Sequence, residues 1–123
     1  MQFMTDRKRA VGMGAAKTGA EHFWAMKVSS VALLILVPLF VLTFGSILGA
    51  PHEEVVAYFA RPFPAIVAAL TLAVGFKHFK DGVQVLIEDY VHGTAQKVLI
   101  ILTVCLSYAA AATGLFAIAR LAL

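Results

Sequence analysis

His78, Asp89 and Tyr90 are the residues in this chain best equipped for chemistry, and their spacing sets them along one helix face. At 100° per helical residue, Asp89 returns to within about 20° of the direction of His78, and Tyr90 follows about a quarter turn round. At about 1.5 Å of rise per residue, roughly 18 Å separates His78 from Tyr90 along the axis. That is a little more than half of a hydrocarbon core about 30 Å thick. A neutral imidazole binds metals and is a good axial ligand for haem iron. A phenol keeps its proton at neutral pH and can donate it to an oxygen that gains charge on reduction. The neighbouring carboxylate could orient that hydroxyl, bind an arginine or relay protons. Tyrosine and aspartate also have plainer uses at a helix end, as an interfacial belt residue and a solvated carboxylate. A histidine inside an apolar run is different, because ionisable groups in mid-membrane are costly and functional by default.

The elements that must position these residues are membrane spans. Of 123 residues, 61% are hydrophobic and 14% charged, against about 25% charged in a soluble domain. This composition predicts a single-domain, all-α integral membrane protein. The net charge of +3 is small and clustered, which argues against nucleic-acid binding. A single cysteine, Cys105, excludes an intrachain disulfide framework and reads as a small packed hydrophobe. There is no GxGxxG and no cysteine cluster, so the chain has no dinucleotide, flavin or iron–sulfur signature of its own.

Three transmembrane helices are expected, at about 25–48, 63–90 and 97–121, after a polar, glycine-rich segment over 1–24. That segment reads as irregular, with a short interfacial helix near Glu21–Trp24. Its basic region is too long for the start of a secretory signal, and the apolar run after it exceeds a signal's 7–15 residues, so the first span reads as a retained anchor. Pro38 is expected to kink that span, and residues 53–61 to form a short surface helix. Pro62 and Pro64 open the second span, where a missing N–H costs little. The second span is apolar from Ala65 to Phe76 and then carries Lys77, His78, Lys80, Asp81, Glu88 and Asp89. Those charges must face protein, cofactor or the interface. Gly93 is expected to stop the helix in a left-handed cap. In the third span Ser107, Ala110, Ala111 and Gly114 form small-xxx-small pairs that suit close helix approach, with lipid-facing filler as the alternative. Arg7, Lys8, Arg9, Lys17, Lys27 and Lys97 fall on one side of this layout, and Arg61 and Arg120 on the other. The positive-inside bias therefore predicts a cytoplasmic N-terminus and an outside C-terminus.

The segment from His78 to Gly93 resembles the haem-bearing membrane anchor of succinate dehydrogenase (respiratory complex II). The motif there is a histidine, a glycine four residues on, and Asp-Tyr after ten intervening residues. Here these are His78, Gly82, Asp89 and Tyr90, extended by Val91, His92 and Gly93, with Gln84 one position from the family's glutamine. The resemblance implies that His78 is an axial ligand to the iron of a b-type haem. His22, His52 and His92 sit near membrane edges, so a second axial histidine would come from another subunit, a second anchor. It also implies that Tyr90 hydrogen-bonds a ubiquinone carbonyl, with Asp89 in support and Glu88 a solvated interface carboxylate. Lys27 stands where the family has a basic residue facing haem propionates or the quinone pocket. It lacks arginine's planar fork, and snorkelling to headgroups explains it equally well. Lys77 or Lys80 could meet a propionate, and Lys77 is also placed to pair with Asp81 at i, i+4. His22 and Trp24 are candidate contacts for an extrinsic subunit.

The implied function is that of a hydrophobic anchor with no catalytic residue of its own, in the inner membrane of a bacterium rather than of a mitochondrion. It would hold a succinate-oxidising flavoprotein and an iron–sulfur subunit to the lipid. One alternative is the anchor of a fumarate reductase. Another is a small transporter or assembly subunit in which Lys77, Lys80 and Asp81 line an ion path.

Overall fold

The protein is described by a computed structural model over residues 3–14 and 18–123; Lys17, counted above among the basic residues, lies outside the described residues. The described residues are helical, with three helices long and apolar enough to cross a membrane. A short helix absent from the sequence expectations, α1 (Asp6–Val11), forms where Thr5 supplies an N-cap. Its side-chain oxygen accepts from the Lys8 N–H at 3.2 Å, Asp6 sits in the first turn where the helix dipole favours a carboxylate, and Gly12 ends the helix at φ +55°.

Helix α2 (Thr18–Gly45) begins about seven residues earlier than expected and ends sooner. Nothing between Glu21 and Trp24 breaks the helix, so this stretch is its first turns and not a separate interfacial piece. The turn over Ser46–Leu48 and Gly49, at φ +79°, close the span. Pro38 lies inside α2, which continues past it. Helix α3 (His52–Phe59) follows Pro51, and Pro62 is the first residue of α4 (Pro62–Tyr90). The end of α4 differs from expectation. Val91, in an extended conformation at φ −119° and ψ 135°, ends the helix. Gly93 does adopt a left-handed φ of +74°, but as the first residue of α5 (Gly93–Ala122), so the third span begins four residues earlier than expected. At about 1.5 Å per residue, the 28, 29 and 30 residues of α2, α4 and α5 reach roughly 42–45 Å, enough to cross the core and enter both headgroup layers.

Helix α4 is the middle element. It packs against α2 on one side and α5 on the other, α2 and α5 do not pack on each other, and α3 rests against the neighbouring ends of α4 and α5. The interior is small: Phe59, Ala65, Val67, Ala68 and Ile87 are buried with the polar Ser29, Asp81 and Ser107. Large apolar side chains such as Val31, Leu34, Leu42, Ile101 and Leu106 are turned outward. This inside-out distribution suits lipid, where small residues and interhelical hydrogen bonds, not apolar burial, bring helices together. The small residues of α5 do line the α4 seam. Ser107 is buried, and a Cβ placed on Gly114 would lie 3.0 Å from Leu72 Cδ1. Cys105 departs from its expected packed position. It is exposed, because it sits two residues from Ser107, about 200° round the helix and so on the outward face.

Candidate functional site

His78 is half-buried on α4 and faces α2. Its Nδ1 lies 2.9 Å from the hydroxyl of Ser29, a residue only 4% exposed. Ser29 Oγ donates to the Met26 carbonyl oxygen at 2.9 Å, and Ser30 Oγ donates to the same carbonyl at 2.8 Å. Among the described residues no hydrogen bond from the chain reaches Nε2, on the other edge of the ring. One turn either side of His78 stand Gly75 and Gly82, both within about 60° of its direction. A Cβ added to either would meet nothing within 4 Å. Beside Gly75 runs an apolar groove of about 260 Å³ lined with Thr71, Leu72, Phe76 and Phe79. An imidazole engaged at Nδ1 and open at Nε2, with bare backbone above and below it, fits a flat macrocycle that approaches through its metal. The donor chemistry therefore matches the haem that the sequence resemblance implies.

Asp81 marks a second cluster on the α5 side of the same helix. It is 3% exposed, and its two oxygens accept from Lys77 Nζ at 2.8 Å and Lys80 Nζ at 2.6 Å. The expected i, i+4 pair of Lys77 with Asp81 is present, and Lys80 joins it. Lys80 also lies 6.0 Å from the Tyr108 ring centroid. Lys77, Lys80 and Tyr108, with Ser107, whose buried hydroxyl has no partner among the described residues, and with Ala73, Phe76, Ala111 and Leu115, line a cavity of about 200 Å³ between α4 and α5. Both lysines thus share one carboxylate of their own helix, and the triad keeps a net charge of +1.

The cytoplasm-facing end expected from charge holds the remaining candidates. Tyr90 is the last residue of α4 and is 77% exposed, with Asp89 exposed beside it. No hydrogen bond joins the two among the described residues, so Asp89 does not orient the Tyr90 hydroxyl within this chain. Gln84 donates to Glu88 at 2.8 Å, which ties the displaced glutamine to an exposed carboxylate on the helix surface. Lys27 is exposed with its ammonium 5.3 Å from the Phe23 ring centroid. It lies about 160° round α2 from Ser29, so the structure does not bring it to His78. His22, a candidate contact for an extrinsic subunit, is half-buried, with Nε2 covered and without a partner among the described residues. It is two turns from Ser29 on the same inward face of α2. Trp24 is 66% exposed and packs edge-on to Phe23.

Ser29 is the residue of this site that sequence reasoning misses. Its only signal there is a serine pair, Ser29–Ser30, in an apolar span. Which of the two meets His78 depends on how α2 registers against α4.

Residues 1–116 match the family described as succinate dehydrogenase/fumarate reductase transmembrane subunit. The chain is 43% identical, over 123 residues, to a protein of Paracoccus denitrificans named succinate dehydrogenase hydrophobic membrane anchor subunit. The likeness covers 100% of this chain and 95% of that protein. No solved structure matches.

Proposed function

The chain belongs to the succinate dehydrogenase/fumarate reductase transmembrane subunit family, and on that premise we propose that it is the hydrophobic anchor of a bacterial succinate dehydrogenase. In that role it holds a flavoprotein and an iron–sulfur subunit to the inner membrane, shares a b-type haem with a second anchor, and helps form the site where ubiquinone is reduced. The observation that carries this reading is the likeness to a named succinate dehydrogenase anchor along the whole chain. The same likeness favours succinate dehydrogenase over the fumarate reductase anchors that share the family. The pairing of Asp81 with two lysines of its own helix suits a packing role better than an ion path.

His78 would hold the haem iron through Nε2, with Gly75 and Gly82 leaving room for the ring. When bound, haem would supply one-electron chemistry within the membrane. A second histidine ligand would have to come from the other anchor, because the remaining histidines of this chain stand toward its helix ends. Tyr90, exposed where α4 ends, presents its hydroxyl to a quinone carbonyl at the membrane edge. Its proton bond strengthens as that oxygen gains charge. Asp89 supplies negative charge at the same edge and faces outward, toward a partner's basic group. Lys27 points to headgroups or to a partner, not to His78. With the N-terminus and residues 91–92 on the cytoplasmic side, Tyr90 lies on the face where an electron-donating extrinsic partner binds.

Purification through a tag on this chain in mild detergent tests the assignment. Flavoprotein and iron–sulfur subunits should co-purify, and the preparation should reduce a ubiquinone analogue with succinate. A chain that purifies without them from cells expressing the complex would contradict it.

A further inference from the structure

We propose that Ser29 is the positioning residue for His78. It accepts the Nδ1 proton, sets the tautomer, and so leaves Nε2 as a bare lone pair aimed at a haem iron; this rests on the haem-anchor reading above. The hydroxyl of Ser29 carries one proton, and the Met26 carbonyl lies 2.9 Å from its oxygen in donor geometry. With that proton committed to the helix backbone, Oγ meets His78 Nδ1, also at 2.9 Å, with lone pairs only. Nδ1 must then carry the ring hydrogen. In the opposite arrangement the serine donates to Nδ1 and the ring hydrogen moves to Nε2. No group of the described chain accepts it there, and an unpaired donor in an apolar span is unfavourable.

The contact is also well protected. Ser29 is 4% exposed and lies in the seam between α2 and α4, where water does not compete for the bond. A ligating histidine whose second nitrogen is hydrogen-bonded is held in one ring orientation and is a more basic donor to the metal. Ser29 and His78 are 49 residues apart, so the bond also joins the first span to the second at the cofactor's depth. Docking of α2 and binding of haem are thereby coupled through one hydroxyl.

The test compares wild-type, Ser29→Ala, Ser29→Thr and His78→Ala complexes, each purified through this chain with its partner subunits. Three quantities are read: haem per complex, the rate of haem transfer to excess apomyoglobin, and the haem midpoint potential. Ser29→Ala should still assemble, because alanine fits where serine does, but should release haem about ten- to a hundredfold faster. Its potential should move to more positive values, because the imidazole loses donor strength. Ser29→Thr keeps the hydroxyl and should stay close to wild type in both. Unchanged transfer rate and potential in Ser29→Ala, with normal haem in the wild type, would overturn the inference alone. Equal loss in Ser29→Thr would also overturn it, by showing a packing effect. A wild-type complex without haem, or an unaltered haem in His78→Ala, would overturn both this inference and the assignment on which it rests.

Discussion

At the scale of single residues, three roles that sequence alone leaves together on one helix come apart. On the proposed reading His78 is the metal-facing group, Asp81 the structural charge and Tyr90 the edge donor. Tyr90→Phe removes one hydroxyl and keeps the ring. A hydrogen bond to a developing oxyanion is worth about 1.5–3 kcal/mol, so succinate-driven quinone reduction should fall about ten- to a hundredfold. Oxidation of succinate with an artificial acceptor that draws electrons upstream should be unchanged, and so should the haem spectrum, since Tyr90 lies roughly 18 Å along the helix from His78. Normal quinone reduction would return Tyr90 to the status of a belt residue. Asp81→Asn tests a different link. Lys77 is 49% exposed and loses little, but Lys80, at 17%, would be left as a covered, unpaired cation. The expected loss is on the order of 3 kcal/mol, visible as earlier thermal dissociation of the detergent-solubilised complex. A melting profile identical to wild type would show that the triad does not hold α4 in place.

At the scale of helices, the architecture depends on α4 being approached closely from both sides, by Ser29 on α2 and by the small residues of α5. Gly114→Ala should be tolerated, because the Cβ it adds meets Leu72 Cδ1 at 3.0 Å, the free end of a flexible side chain. Gly114→Leu cannot be absorbed in that way. It should destabilise the α4–α5 pair by about 1–3 kcal/mol, the usual cost of overpacking, and reduce the yield of assembled complex in detergent. Equal yields for the two variants would place α5 further from α4 than the structure has it. What sequence can and cannot anticipate also divides at this scale. The pairing of Lys77 with Asp81 is legible because both partners lie on one helix at a fixed interval. The three spans are legible because length and apolarity decide them. The contact of Ser29 with His78 is not, since it joins two helices whose register no periodicity specifies. Gly93 is legible as a left-handed position, but it opens α5 instead of closing α4. Val91, a residue with every propensity to be extended, has already ended α4 two positions before.

For the molecule as a whole, most of the surface of α2 and α5 is apolar and turned outward, while polar groups are gathered on α4 and in its seams. Such a chain is completed by lipid and by partner subunits. The basic residues Arg7, Lys8, Arg9, Lys27 and Lys97 predict that an alkaline-phosphatase fusion after Leu123 is active and that one before α2 is inactive. The reverse pattern would place Tyr90 on the outer face, away from any cytoplasmic electron donor. The central claim is that His78 supplies one of two haem-iron ligands in a complex built on this anchor. Its most direct test is the reduced-minus-oxidised spectrum of that complex, purified through this chain, with and without His78→Ala. The wild type should show the α band of a b-type haem, and the substitution should abolish or shift it while the subunits still co-purify. An identical, full-strength band in both preparations would contradict that claim.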